Sequence, residues 1–345
     1  MREVSIGKNE AGQRLDKMLT KYLNQAPKSF LYKMLRKKNI TLNGKKANGN
    51  EKLMVGDTIK LFLSDDTLEK FTNHSQSFHL PDKEGDFHSN NLEKRRDGKE
   101  ITSCLDIIYE DENVLIINKP VGILSQKADK NEESVVEQVI THCLEAGKMG
   151  REELQFFRPS VCNRLDRNTS GILVAGVSLL GLQQMAKLFH DRTIHKYYYC
   201  MVAGQLKKGK RISGYLTKDH EKNKVTITKE PTTKESQRIE TEYEPLSMGK
   251  HVTYVRVYLI TGRSHQIRAH LSSIGHPIIG DVKYGEVGTN RYYKKQYGVK
   301  NQMLHAGEIQ FPEMEGEFKG LSGKIITAPL PPVFERVMRG EGIFE

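Results

Sequence analysis

Residues 163–174 read Asn-Arg-Leu-Asp-Arg-Asn-Thr-Ser-Gly-Ile-Leu-Val, and they set one carboxylate, Asp166, between Arg164 and Arg167. Nearby positive charge favours the ionised form of an acid, and Gly171 permits a tight backbone turn at the mouth of the apolar segment that follows. A positioned carboxylate of this kind can stabilise developing positive charge, take a proton or attack as a nucleophile. The same pattern also builds an Asp–Arg ion pair on a surface turn, so the run alone does not choose between the two. Two further stretches carry groups of interest. In Lys196–Gly204 three tyrosines follow one another, and strand alternation points Tyr198 opposite to Tyr197 and Tyr199. In Thr261-Gly262-Arg263-Ser264 a turn and cap open a helix, where Arg268 sits near a strand end and a guanidinium can bridge to a carboxylate. Arg263 and Arg268 are equally suited to phosphate contacts or to a solvated surface. His265 and His270 are five apart and share a helix face poorly, so no metal site is expected there.

These groups need elements to carry them. Ile107–Glu110 and Val114–Asn118 read as a hairpin closed by Lys119-Pro120-Val121-Gly122, and a helix follows over Ser134–Leu144. Ser178 suits the N-cap of a helix running to Asp191. Thr253–Ile260 reads as a strand, and His265–Ile274 as a helix with Ile267, Leu271 and Ile274 on its buried side, stopped by Gly275. Residues 1–63 read as a separate α/β module. Gln13–Leu23 is an amphipathic helix. Pro27-Lys28-Ser29 opens a second, with Phe30, Leu31, Met34 and Leu35 inward and Lys28, Lys33, Arg36, Lys37 and Lys38 outward. Ile40–Leu42, an Asn43-Gly44 turn and Thr58–Leu63 supply short strands. From Ser64 to about Cys104 the sequence is polar and aperiodic, and a flexible linker is expected. His74, His79 and His88 within it match no ligand spacing.

The net charge of +11 over 345 residues is unevenly placed. Residues 1–63 hold 14 Lys and Arg against 5 Asp and Glu, whereas residues 64–105 hold 6 against 9. A small domain this basic suits a polyanion, because each cation beside a phosphate releases condensed counterions; it also suits a merely solvated surface. Charged residues make up 28% of the chain, and no apolar run approaches a membrane span. The first residues lack a secretory signal, and the four cysteines form no Cys-x-x-Cys pair, so a reduced, cytoplasmic protein without a membrane partner is expected.

In order, Gly12-Gln13-Arg14-Leu15-Asp16-Lys17, Pro27-Lys28-Ser29 to Lys38, Ile40–Lys45 and Val55-Gly56-Asp57-Thr58-Ile59 resemble an S4 RNA-binding domain. The remainder, from Ile107 to about Met338, resembles the RluA-type pseudouridine synthases, most closely the RluC-like enzymes of large-subunit ribosomal RNA. The matching segments are Lys119-Pro120-x-Gly122, Arg164-Leu165-Asp166-Arg167-x-Thr169-Ser170-Gly171, Lys196-x-Tyr198 and Thr261–Arg268, followed by Gly275-His276-Pro277-Ile278-x-Gly280-Asp281, Leu304-His305-Ala306 and Ala328-Pro329-Leu330-Pro331. The resemblance implies an α+β fold: a small S4 module over residues 1–63, the linker over 64–104, and a catalytic domain over 105–345 built on a mixed, mainly antiparallel sheet. It implies that Asp166 is the essential aspartate, Tyr198 the base-stacking tyrosine, Arg268 the arginine paired with the aspartate, and Arg164 the residue that replaces the flipped nucleotide. Arg263, Lys28, Lys33, Arg36 and Lys37 are then the remaining RNA contacts. Asn163 departs from the histidine usual in the family. Moving a base from an N1 to a C5 linkage changes no oxidation state and needs no phosphate donor, so no cofactor and no metal are expected, and the chain is expected to act on RNA as a monomer. A non-catalytic S4-type RNA-binding or ribosome-assembly protein is the alternative. A metal-dependent RNA hydrolase would need a ligand cluster that the sequence does not present.

Overall fold

The computed structural model describes residues 1–7, 9–72, 105–127, 132–219 and 224–343. They fall into two compact units, one drawn from the ranges 1–104, 137–160 and 176–183, the other from 105–136, 161–175 and 184–345.

The first unit contains β1 (Arg2–Ser5), α1 (Leu15–Tyr22), α2 (Lys28–Arg36), β2 (Ile40–Leu42), β3 (Lys45–Lys46), β4 (Thr58–Leu61) and α3 (Asp65–Phe71). Helix α1 buries Leu15, Met18, Leu19 and Tyr22, and α2 buries Leu31, Met34 and Leu35, the faces their helical spacing predicts. They pack with an antiparallel sheet of order β1-β4-β2-β3. Asn43 and Gly44 both have positive φ, 51° and 72°, the conformation a two-residue hairpin turn needs to match strand twist. The Asn43 amide also donates to Asp57 and accepts the Thr58 N–H, which ties the turn to β4.

The stretch expected to be a flexible linker from Ser64 opens instead as helix α3. Ser64 caps it by accepting the Thr67 N–H, Leu68 is buried in the core, and Phe71 lies 4.5 Å from Phe30 between ring centroids. Seven residues with two apolar anchors are too few to show a helical period, so burial decides what the pattern does not. Residues 73–104, with His74, His79 and His88, lie outside the described residues. The structure also packs part of the segment after 136 with this unit: Tyr22 stacks on Phe156, the Lys21 ammonium donates to the Phe156 carbonyl, and the Asn9 amide donates to Glu153.

The second unit is organised by one sheet. From residue 105 onward the chain forms β5 (Ile107–Glu110), β6 (Val114–Lys119), α4 (Val135–Glu145), β7 (Ser160–Val161), β8 (Ser170–Gly176), α5 (Leu179–His190), β9 (His195–Ala203), β10 (Lys210–Asp219), β11 (Lys224–Thr228), β12 (Gln237–Met248), β13 (Val252–Leu259), α6 (Gln266–Ser273), α7 (Val287–Tyr297), β14 (Leu304–Gln310), β15 (Ile325–Thr327) and α8 (Pro332–Glu341); of these, α4 from Glu137 and the start of α5 up to Gln183 count with the first unit. Among the described residues eleven strands join, in the order β11-β10-β12-β13-β9-β14-β8-β6-β5, with β15 on β14 and β7 on β8. The β8–β14 pairing is parallel, and β9, β10, β12 and β13 pair antiparallel, so the expected mixed, mainly antiparallel α+β architecture is present. On one side of it Val114, Ile116, Ile172 and Val174 from β6 and β8 pack with Met185 and Leu188 of α5 and with Ile309 of β14.

At the middle of this sheet three strands set the spacing of the candidate groups. Gly171 of β8 pairs with Ala306 of β14, which pairs with Tyr198 of β9. Gly171 has a φ of 110°, and a Cβ there would lie 2.2 Å from the Ala306 carbonyl oxygen. Only glycine allows β14 to come this close, and β14 carries Tyr198 with it. The turn role read for Gly171 from the sequence is in fact a close-approach role inside the sheet.

Candidate active site

The loop between β7 and β8 presents Asp166. From the end of β6, the fully buried Lys119 donates from its ammonium to the carbonyls of Pro120, Ile123 and Arg167, at 2.8, 2.9 and 3.1 Å. The Ser125 hydroxyl accepts the Leu165 N–H and donates to the Leu165 carbonyl, both at 3.0 Å. The Gly122 N–H reaches the Arg167 carbonyl, and within the loop the Thr169 N–H closes onto the carbonyl of Asp166 at 3.0 Å. Residues 119–125 therefore hold the aspartate loop from beneath. Burial pushes the Lys119 ammonium down to about 8, against the opposing charge of Asp166. Asn163, where the resemblance expected histidine, donates to the Ile172 carbonyl and accepts the Val174 N–H, so it anchors the base of the loop to β8.

The guanidinium that meets Asp166 is neither of its sequence neighbours. Arg164 is exposed, and Arg167 turns to Glu132. Instead Arg268, 102 positions away on α6, donates from Nη1 to Asp166 Oδ2 at 2.8 Å. Its other two nitrogens donate to Asp281: Nε to Oδ2 at 2.6 Å and Nη2 to Oδ1 at 2.8 Å. Arg268 is 5% exposed and Asp281 fully buried, while the Asp166 side chain keeps 27% of its surface. Burial works against the charge of Arg268, but the hydrogen bonds and charge of Asp281, and then those of Asp166, hold its pKa above the ordinary value. Burial likewise opposes ionisation of Asp281, and Arg268 with the N–H groups of Lys283 and Tyr284 outweighs it, keeping that carboxyl below its usual range.

Helix α6 buries Ile267 and Leu271, as its spacing predicts. It is in addition buried where the sequence gives no sign of it, at Gln266, Arg268 and His270. Gln266 explains part of this: it accepts from the Thr261 hydroxyl and the Arg263 N–H, and donates to the Glu240 carbonyl and Thr241. His265, at the N-cap, takes a left-handed φ of 57° and places Nε2 3.9 Å from Asp166 Oδ2. Tyr198 is 6% exposed; burial, and then the charge of Asp166, raise the pKa of its hydroxyl, so the side chain is a neutral phenol. A cleft of about 610 Å³ lined by His251, His276, Glu286, Thr289 and Tyr292 includes none of these groups. Among the described residues no group of three His, Cys, Asp or Glu is placed to hold a metal ion.

The comparisons agree on the family of the chain. Residues 113–273 match the family model described as RNA pseudouridylate synthase. A ribosomal large subunit pseudouridine synthase C of Vibrio cholerae is 31% identical over 336 residues, covering 97% of this chain and 95% of that one. An uncharacterised RNA pseudouridine synthase of Mycoplasma genitalium is 30% identical over 315 residues, covering 90% and 89%. The chain belongs to the RNA pseudouridine synthases. Its fold is also that of human RNA pseudouridylate synthase domain containing 4, with a TM-score of 0.54 at 20% identity over 68% of this chain and 91% of that one. It is thus an enzyme, an isomerase acting on RNA, and the non-catalytic alternative is not favoured.

For a pseudouridine synthase, the sequence-derived residues divide clearly. The structure joins Asp166 to Arg268, sets Tyr198 within reach of the charge of Asp166, and leaves Arg164 and Arg263 exposed. Lys28, Lys33, Arg36 and Lys37 form an exposed basic face on α2 and its C-terminal end, in the first unit. Sequence reasoning assigned no role to Lys119, His265, Asp281 or Tyr284. Lys119 and Asp281 did stand inside matched segments, in Lys119-Pro120 and Gly280-Asp281, but a lone charge beside Pro or Gly carries no sign of its burial.

Proposed function

We propose that this pseudouridine synthase modifies large-subunit ribosomal RNA, in the cytoplasm and as a monomer, with Asp166 as the reacting carboxylate. The observation that carries the reading is the pairing of Asp166 with Arg268. One carboxylate oxygen is held by a buried guanidinium, and Oδ1 has no partner among the described residues. The reaction breaks the C1′–N1 bond of uridine, turns the base and forms C1′–C5; the proton leaving C5 is matched by the one gained at N1. A carboxylate held in place supplies what that sequence needs at the sugar or the base, and no cofactor enters the balance. Tyr198 offers a ring for the extruded uracil and Arg164 a side chain for the vacated stack, which together offset an extrusion cost of a few kcal/mol.

Residues 1–63 serve, in this reading, as an S4-like RNA-binding module, with Lys28, Lys33, Arg36 and Lys37 on phosphates and Arg263 contacting RNA near the reacting base. The relatives named for the ribosomal large subunit support the choice of RNA. The deciding experiment is Asp166→Asn, assayed on ribosomal RNA from cells lacking the enzyme. Product is expected to fall by at least about 10³-fold, with RNA affinity within about threefold of wild type. Pseudouridine formed at the wild-type rate would overturn the assignment, and chemical mapping of the same RNA identifies the uridines.

A further inference from the structure

We propose that the turn at residues 281–284 is a positioning element for the reaction, with Asp281 and Tyr284 aiming the two side chains that flank Asp166. This rests on the reading of Asp166 as the reacting carboxylate. Arg268 can reach Asp166 with Nη1 in one orientation only if its fork is fixed elsewhere, and Asp281 fixes it with two hydrogen bonds at 2.6 and 2.8 Å. Asp281 is itself immobilised. Its Oδ1 also accepts the backbone N–H groups of Lys283 at 2.9 Å and Tyr284 at 3.0 Å, and its carbonyl accepts the Gly285 N–H and the Asn290 amide.

The second arm starts from the same turn. The Tyr284 hydroxyl accepts the Val225 N–H at 2.8 Å and lies 3.0 Å from His265 Nδ1. An amide N–H can only donate, so the phenolic hydrogen is free to go to Nδ1, and the imidazole hydrogen then sits on Nε2. That Nε2–H faces Asp166 Oδ2 at 3.9 Å, whereas the other tautomer would set a lone pair against a carboxylate. Burial, with Arg268 and Lys283, keeps His265 below its usual pKa in spite of Asp166, consistent with a neutral ring. The left-handed backbone of His265 is a strained conformation for a residue with a Cβ, and the structure maintains it where it sets this ring beside the aspartate. Both side chains thus face Oδ2, Arg268 at hydrogen-bond distance and His265 at 3.9 Å, and both are oriented from residues 281–284.

Tyr284→Phe removes one hydroxyl and keeps the ring that lies under Arg268, so it tests the His265 arm with little risk to folding. Its single-turnover rate on saturating RNA is expected to fall about tenfold, with RNA Kd within about twofold. Combined with His265→Gln, it should add no further loss, because Tyr284 acts through His265. Asp281→Asn tests the other arm, with an expected rate loss of about 100-fold and a Kd within about threefold. Wild-type rates in both single variants, multiplicative losses in the Tyr284/His265 pair, or losses in Kd that match those in rate would each overturn the positioning role. Asp166→Asn in the same assay separates the two readings. Product from that variant removes the role of Asp166 and the positioning role with it; no product from it, together with a wild-type rate in Tyr284→Phe and Asp281→Asn, removes the positioning role alone.

Discussion

Charge is used in opposite ways in two regions of this molecule. On α2 and its C-terminal end, Lys28, Lys33, Arg36 and Lys37 stand in solvent. Around Asp166, Arg268 and Lys119 are buried and every donor of Arg268 that faces a carboxylate is committed. An exposed cation acts at a distance, is screened by salt and tolerates rearrangement; a buried one acts over a single hydrogen-bond length and is costly to leave unpaired. The first arrangement suits capture of a polyanion whose position varies, and the second suits one atom that must not move. Recognition and chemistry should therefore respond to different variables.

The sharpest way to break this contrast is Arg268→Lys. Lysine retains the charge but is a point donor and cannot span Asp281 and Asp166 together, so the rate at saturating RNA is expected to fall by about 100-fold or more, at any salt concentration. A loss that appears only in Kd would mean that Arg268 belongs with the phosphate contacts instead. Next in size is the combined replacement of Lys28, Lys33, Arg36 and Lys37 by Ala. Up to four phosphate contacts would be lost, and the slope of log Kd against log salt is expected to become shallower by up to about 3 to 4, with the saturated rate unchanged. An unaltered slope would show that these cations are simply solvated.

The smallest effect concerns pH. Burial pushes the imidazoles of His270 and His305 down to about 4. The unfolded chain takes up these two protons near pH 6.5 while the folded chain refuses them until about pH 4. Stability from these groups is thus complete above 6.5 and is lost as pH falls through that window, by about 3 kcal/mol for each histidine at the acid end. His305→Gln should flatten the decline in Tm between pH 6.5 and 4, and added salt should leave it largely intact. An equally steep decline in that variant would assign the acid sensitivity to other groups.

Particular residues show how far local pattern reaches. Helices α1 and α2, strands β2, β5 and β6, and the Asn43-Gly44 turn were legible because each is fixed by a period or by a turn chemistry within a few residues. Helix α3 is not legible because it is only seven residues long, and in α6 the pattern marks Ile267 and Leu271 as buried but not Gln266, Arg268 and His270, which are polar by type and buried through hydrogen bonds to distant elements. At the site, Asp166 stood out as a carboxylate among arginines, yet the arginines that drew attention to it, Arg164 and Arg167, are not its partners.

The sequence by itself determined most of the elements, the basic character of the N-terminal region and, through ordered motifs, the family. All of these reside in short segments, where propensity, periodicity and residue type act locally. Only the tertiary structure decided which charges meet. It joined Arg268 to Asp166 across 102 positions, set Asp281 behind Arg268, placed Lys119 beneath the aspartate loop and turned His265 toward Oδ2. Pairings of this kind depend on desolvation and on the close approach of strands such as β8 and β14, neither of which exists until the chain has packed.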